Sequence, residues 1–218
     1  MAWTHLDSAT VASHQFDLYH RDGRYMIRVD GLELMNGYNH ESEDRLGEMA
    51  VSLCNNPHPH ILLGGLGLGY TLGRIAQNLG TRGRIDVAEI SAAVMGWYRQ
   101  YLQAQFFEEL PGNVTLHHAD VVAMIQSGTR YDMIILDVDN GPQALSQNSN
   151  HFLYSTQGLQ ALWNGLATNG QVLLWSSFES AHFLERAVDA GYQASCFPQT
   201  LAGRETPFHY IYCLVKKG

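Results

Sequence analysis

Apolar and polar positions change period along this chain, and the changes mark out its elements. Between residues 15 and 35, QFDLYH, RDG and RYMIRVDGLELM alternate in steps of two around a Gly-containing turn. That pattern predicts a small β-hairpin. The period then turns helical: NHESEDRLGEMAVSL (39–53) sets Leu46, Met49, Ala50 and Leu53 on one side. From residue 60 onward, short unbroken apolar runs alternate with helical segments. Strands are predicted at 60–64, 84–90, 113–118, 131–137 and 171–177, each followed by a helix, at 70–79, 91–106, 120–127, 154–167 and 179–190. Two further strands, 192–197 and 207–215, end the chain with no helix between them. Strands that are apolar on both faces need cover on both faces. The expected fold class is therefore α/β: a Rossmann-like three-layer α/β/α sandwich, mostly parallel, with a terminal antiparallel strand pair and a small N-terminal β-hairpin.

Chemistry concentrates where these strands end. In ILLGGLGLGYT (61–71) a strand runs into a turn carrying Gly65, Gly67 and Gly69, then into a helix. Glycines let backbone approach a ligand closely, and a helix start offers free N–H groups. Glu89 closes the next strand, where a carboxylate can accept hydrogen bonds from two ribose hydroxyls. Asp120 follows the third strand, placed to accept an adenine amino group while the Val121 N–H meets a ring nitrogen. In open parallel sheets ligands bind at these carboxyl ends, where strand order reverses. The set reads as a nucleoside or nucleotide site. Each part also has a bland reading: a glycine turn that only packs tightly, and an Asp120 that only caps a helix. The turn is GxGxG rather than GxGxxG, and no P-loop occurs. With the terminal antiparallel pair, this suits S-adenosylmethionine enzymes better than dehydrogenases.

YDMIILDVDNGP (131–142) ends a buried strand in Asp137, Asp139 and Asn140. A carboxylate here can act as general base towards an amine; a simple Asx-type turn is the alternative. Tyr154 and Trp175 lie near the same mouth as candidate substrate walls, although aromatics in such places are also core.

Composition narrows the partners. The 218 residues suffice for one substantial core, and the net charge of −8, without a basic stripe, argues against nucleic acid. No apolar stretch reaches membrane-spanning length, and the first residues lack a basic segment followed by an apolar run. Three dispersed cysteines without CxxC suit a reduced, cytoplasmic protein. Eleven histidines form no ligand spacing, so no metal is expected.

The hairpin, the acidic helix, ILLGGLGLGYTLGR, IDVAEI, HHAD, YDMIILDVDNGP and the later FLYS resemble the polyamine aminopropyltransferases, of which spermidine synthase is the familiar member. The resemblance spans nearly the whole chain. It implies polyamine biosynthesis: transfer of an aminopropyl group from decarboxylated S-adenosylmethionine to a diamine, releasing methylthioadenosine. It further implies that Glu89 binds ribose, Asp120 adenine, that Gln15 meets the nucleotide, that Asp137 deprotonates the attacking amine, and that the chain forms a homodimer. Residues 1–55 then form an N-terminal hairpin-and-helix unit, and 56–218 an S-adenosylmethionine-type nucleotide-binding catalytic domain. Departures accompany the likeness. Leu68 stands where the family has an Asp for the aminopropyl ammonium, Asn140 replaces the second acid of DxxD, HESEDRLGEMA lacks the Tyr-His pair, and the Gln ending strand five is replaced around Trp175-Ser176. The expected function is a spermidine synthase-like transferase with an altered acceptor site, using S-adenosylmethionine or its decarboxylated form on a small-molecule acceptor, an amine in the first reading. The alternatives are a methyltransferase on the same frame and a non-catalytic nucleoside-binding relative.

Overall fold

The computed structural model describes all residues except 1, 12, 139–151, 201–205 and 218. Four antiparallel strands come first: β1 (Thr4–Val11), β2 (His14–Arg21), β3 (Arg24–Val29) and β4 (Leu32–Asn36), paired in that order. The region predicted as a two-stranded hairpin is thus three strands, because Asp30 and Gly31 turn the chain between β3 and β4, and β1 adds a fourth. Helix α1 (Glu41–Ser52) follows, and then the repeating series: β5 (His60–Gly64), α2 (Tyr70–Leu79), β6 (Arg84–Glu89), α3 (Ala92–Trp97), β7 (Val114–His118), α4 (Val121–Gln126), β8 (Tyr131–Leu136), α5 (Thr156–Gly165), β9 (Leu166–Ser176), α6 (Ala181–Asp189), β10 (Gln193–Gln199) and β11 (His209–Val215).

The second sheet runs β7-β6-β5-β8-β9-β11-β10. Its strands β5 to β9 pair in parallel, while β11 runs against both neighbours. Strand order reverses between β5 and β8, which opens the ligand crevice at their carboxyl ends. Alternate residues of the buried strands feed two cores. Leu63, Val87, Ile135, Leu173 and Ile211 meet α1, α2 and α3 on one face. On the other, Leu62, Ile134, Val172 and Tyr212 meet α4, α5 and α6. Leu18 and Ile27 of the small sheet join the first of these cores, and Trp97 Nε1 donates to Asp7 of β1 at 2.8 Å.

Ser91 caps α3 as expected, accepting the Val94 N–H at 3.2 Å. The predicted helix 91–106 is helical through Gln105 but changes pitch, to π over Tyr98–Leu102 and 3₁₀ over Gln103–Gln105. No helix among the described residues is long and apolar enough to cross a membrane.

One buried carboxylate ties three neighbouring strands together. Asp86 of β6 receives His60 Nε2 of β5 at 2.6 Å, His117 Nε2 of β7 at 2.9 Å, and Arg84 Nη2 at 3.0 Å. Burial alone pushes the Asp86 pKa up, but the bonds from His117, His60 and Arg84 together outweigh it and hold the carboxyl below its ordinary value. A depressed native pKa stabilises the fold above the unfolded-state value, and that contribution disappears as pH falls through the native value. Asp86→Asn is therefore expected to lose about 2–3 kcal/mol at pH 7. In urea titrations its deficit against wild type should shrink as the medium becomes acidic.

Candidate functional site

The glycine turn packs against the crevice more closely than any side chain would allow. Gly65 has φ +91°, and a Cβ there would lie 2.1 Å from the Asp137 carbonyl oxygen. Gly69, also at φ +91°, is the N-cap of α2, and its Cβ would lie 2.4 Å from the Tyr98 ring. Gly67 lies under β4, where a Cβ would meet the Met35 sulfur at 3.1 Å. Gly69 offers no side-chain cap, so the first N–H groups of α2 are not taken up by its own N-cap side chain.

Glu89 sits beside this turn, 9% exposed. Its Oε2 accepts the Leu66 N–H at 3.0 Å and its Oε1 the Ser91 N–H at 2.8 Å. One carboxylate thus fixes both the glycine turn and the start of α3. A carboxylate has about four lone-pair directions, so acceptor capacity remains for a diol. Asp120 caps α4, accepting the Val122 N–H through Oδ1 at 2.8 Å. Val121 is buried against Gly64, where a Cβ would approach its Cγ2 to 2.7 Å.

Asp137 leaves β8 beside Gly64, donating its own N–H to the Gly64 carbonyl at 2.9 Å. Its Oδ2 accepts the Thr71 hydroxyl of α2 at 2.7 Å. Burial pushes its pKa up to about 6, against the lowering effect of that bond. Trp175 lies at the end of β9, on the sheet face that packs against α1 and α2. Its ring tilts against His209 at 4.5 Å between centroids, and burial drops the His209 pKa to about 4. The buried Trp175 Nε1 and His209 Nδ1 have no hydrogen-bond partner among the described residues.

The structure therefore gathers Gly65, Gly67, Gly69, Glu89, Asp120, Val121, Asp137 and Trp175 at the carboxyl ends of the parallel strands. Tyr154 goes elsewhere: it is 5% exposed and packs edge-on against Phe183, in the core on the opposite face from Leu173 and Ile135. Gln15 is exposed on β2, with its N–H on Asp30 at 2.8 Å and its side-chain amide on Asp17 at 3.1 Å. Asp139 and Asn140 lie outside the described residues. Leu68 is 4% exposed and belongs to the core beside α1 and α2, so it is an apolar packing residue.

Sequence reading passed over Glu43 of α1. Burial, and then the charge of Asp137, push its pKa up to about 7. The surrounding sequence, HESEDR, has the look of a solvated helix face; only the packing of α1 on α2 brings Glu43 to the crevice.

No family model and no curated protein matches this chain by sequence. Its structure is similar to solved spermidine synthases. That of Thermotoga maritima aligns with TM-score 0.71 at 15% identity, over 98% of this chain and 72% of that one. A spermidine synthase in complex with the transition-state analogue AdoDATO gives TM-score 0.74 at 16% identity, over 98% and 74%. A probable spermidine synthase from Corynebacterium glutamicum gives 0.71 at 15%, over 97% and 79%. At such identities the likeness establishes the fold, including the small N-terminal sheet.

Proposed function

We propose that this chain is a transferase of the spermidine synthase type, acting on a small amine with S-adenosylmethionine or its decarboxylated form. The observation that carries this reading is Asp137: a largely buried carboxylate at the strand-order reversal, held by Thr71 and flanked by a glycine turn and Glu89. The residues present fit a nucleoside. Glu89 keeps acceptor capacity for ribose, the second oxygen of the α4 cap Asp120 would accept the adenine amino group, and the start of α2 faces the turn with no side-chain cap.

When bound, the cofactor supplies a carbon made electrophilic by its sulfonium. The chain's residues have three tasks around it. Glu89 orients the ribose and, through Leu66 and Ser91, fixes the turn that receives the nucleoside. Asp137 takes a proton from the acceptor nitrogen, freeing its lone pair for attack. Thr71 holds one oxygen of Asp137, leaving the other to face the acceptor. With a pKa near 6, Asp137 is ionised at neutral pH yet close enough to that range to exchange a proton.

A methyltransferase reading has one specific observation in its favour. Leu68 is buried and apolar, so the turn provides no carboxylate for an aminopropyl ammonium. Comparative titration with the two cofactor forms decides between these readings. The one-to-one titration expected with either form would fail altogether for a protein whose glycine turn serves packing alone.

A further inference from the structure

The crevice carries more negative charge than the described residues neutralise. Asp137 and Glu43 approach each other from β8 and α1 across Thr71. The Thr71 hydroxyl lies 2.7 Å from Asp137 Oδ2 and 3.5 Å from the Glu43 carbonyl oxygen. The Glu43 carboxylate accepts from the Ser42 hydroxyl, at 2.5 Å, and from its own backbone N–H. No arginine, lysine or histidine pairs with either acid among the described residues. Arg74 of α2, the cation on the neighbouring turn, is engaged by Asp44 at 3.1 Å and Glu48 at 3.8 Å.

Strand register adds a third wall. Leu136 of β8 pairs with Leu174 of β9, so Asp137 and Trp175 follow as lateral neighbours with side chains on the same face. Two carboxylates without a cation are the surroundings an alkylammonium seeks, and the register neighbour Trp175 closes that side with an apolar side chain.

Building on the proposed role of Asp137, we infer that Glu43 is a positioning and specificity-determining residue of the acceptor site, pairing with Asp137 to hold the ammonium of an amine. The assignment selects an aliphatic amine over a neutral nucleophile such as an alcohol.

Protonation supports the pairing. Buried like charges are costly, and a pair with no cation keeps a proton instead. Burial and the charge of Asp137 raise Glu43 to about 7, with Asp44 on its own helix adding to the effect and the Ser42 hydroxyl opposing it. From α2, the Tyr70 phenol and the engaged Arg74 face the same region. At neutral pH the two acids together retain part of a proton. An entering ammonium replaces that proton, so amine binding should release protons to solvent.

The test is titration calorimetry at pH 7 with 1,4-diaminobutane, in the presence of methylthioadenosine, in two buffers of different ionisation enthalpy. Wild type is expected to bind the diamine with proton release and to ignore 1,4-butanediol. Glu43→Gln should bind the diamine at least tenfold more weakly without proton release, while Glu43→Asp restores most of both. Unchanged methylthioadenosine affinity in Glu43→Gln establishes that the variant is folded. If Glu43→Gln binds the diamine as wild type does, or wild type binds the diol equally well, the assignment of Glu43 is overturned and the nucleoside site stands. If wild type does not bind methylthioadenosine, the underlying reading of the crevice falls, and this inference with it.

Discussion

Asp137→Asn is expected to lower turnover by about 10²–10⁴-fold, the range of general-base contributions, while changing cofactor affinity less than about twofold. The asymmetry follows from position. Glu89 and the glycine turn contact one another directly, whereas Asp137 reaches across the crevice to Thr71 on α2. In wild type, the acid limb of the rate profile should fall away below about pH 6, where Asp137 takes up a proton; the variant should show no such limb. Stability should move the other way. A carboxyl whose native pKa is raised favours the fold while it is protonated, and that benefit is lost as pH rises through the native value. Above about pH 6 the ionised Asp137 is a burden that asparagine removes. Asp137→Asn should therefore melt higher than wild type at pH 7, a trade of stability for function. Comparable losses of turnover and cofactor binding would make Asp137 a cofactor contact instead of a base.

Gly65→Ala is expected to destabilise the fold by about 3 kcal/mol or more, combining backbone strain with a clash against backbone. The added Cβ would sit 2.1 Å from the Asp137 carbonyl oxygen, at φ +91°. β5 and β8 could then not keep their register at the crevice, and Asp137 would shift. Gly23→Ala is the matched control: its φ is +76° but nothing lies within 4 Å of the added atom. There the conformational cost alone, about 1–2 kcal/mol, should appear. Urea denaturation of both variants checks the difference. A Gly65→Ala protein no less stable than Gly23→Ala would mean that the turn relaxes freely and does not constrain the site.

The parallel core was legible because its strands are apolar on both faces and bounded by breakers. His60–Gly64 and Tyr70–Leu79 fall where the run after PHPH and the GLG turn place them. Elements with one wet face were harder to read. β1, THLDSATV, buries little beyond Leu6 and Ala9, and β4 carries Leu32 at 75% exposure, so neither shows a clean apolar alternation. β9 begins five residues before the predicted 171, because Leu166–Gly170 includes exposed Thr168 and Asn169, the latter at φ +60°.

The site divides along similar lines. Glu89, Asp120 and Asp137 end strands, so sequence order alone places them together. Glu43 comes from a helix that only tertiary packing sets over the crevice: a Cβ on Gly47 of α1 would lie 2.7 Å from the Arg74 Cβ of α2. Tyr154 shows the converse. Proximity in sequence to the crevice mouth suggested a substrate wall, yet the start of α5 turns its ring towards Phe183 and the opposite core.

The measurement closest to the central claim is calorimetric titration of the purified protein with S-adenosylmethionine and, separately, with its decarboxylated form. The proposed transferase binds at least one of them at a single site per chain. Glu89→Gln should weaken that binding at least tenfold, because the ribose acceptor and the anchor of Leu66 are lost together. Preference for the decarboxylated form supports aminopropyl transfer, and preference for the complete form supports methyl transfer. Binding of neither would contradict the account and leave the glycine turn as a packing feature.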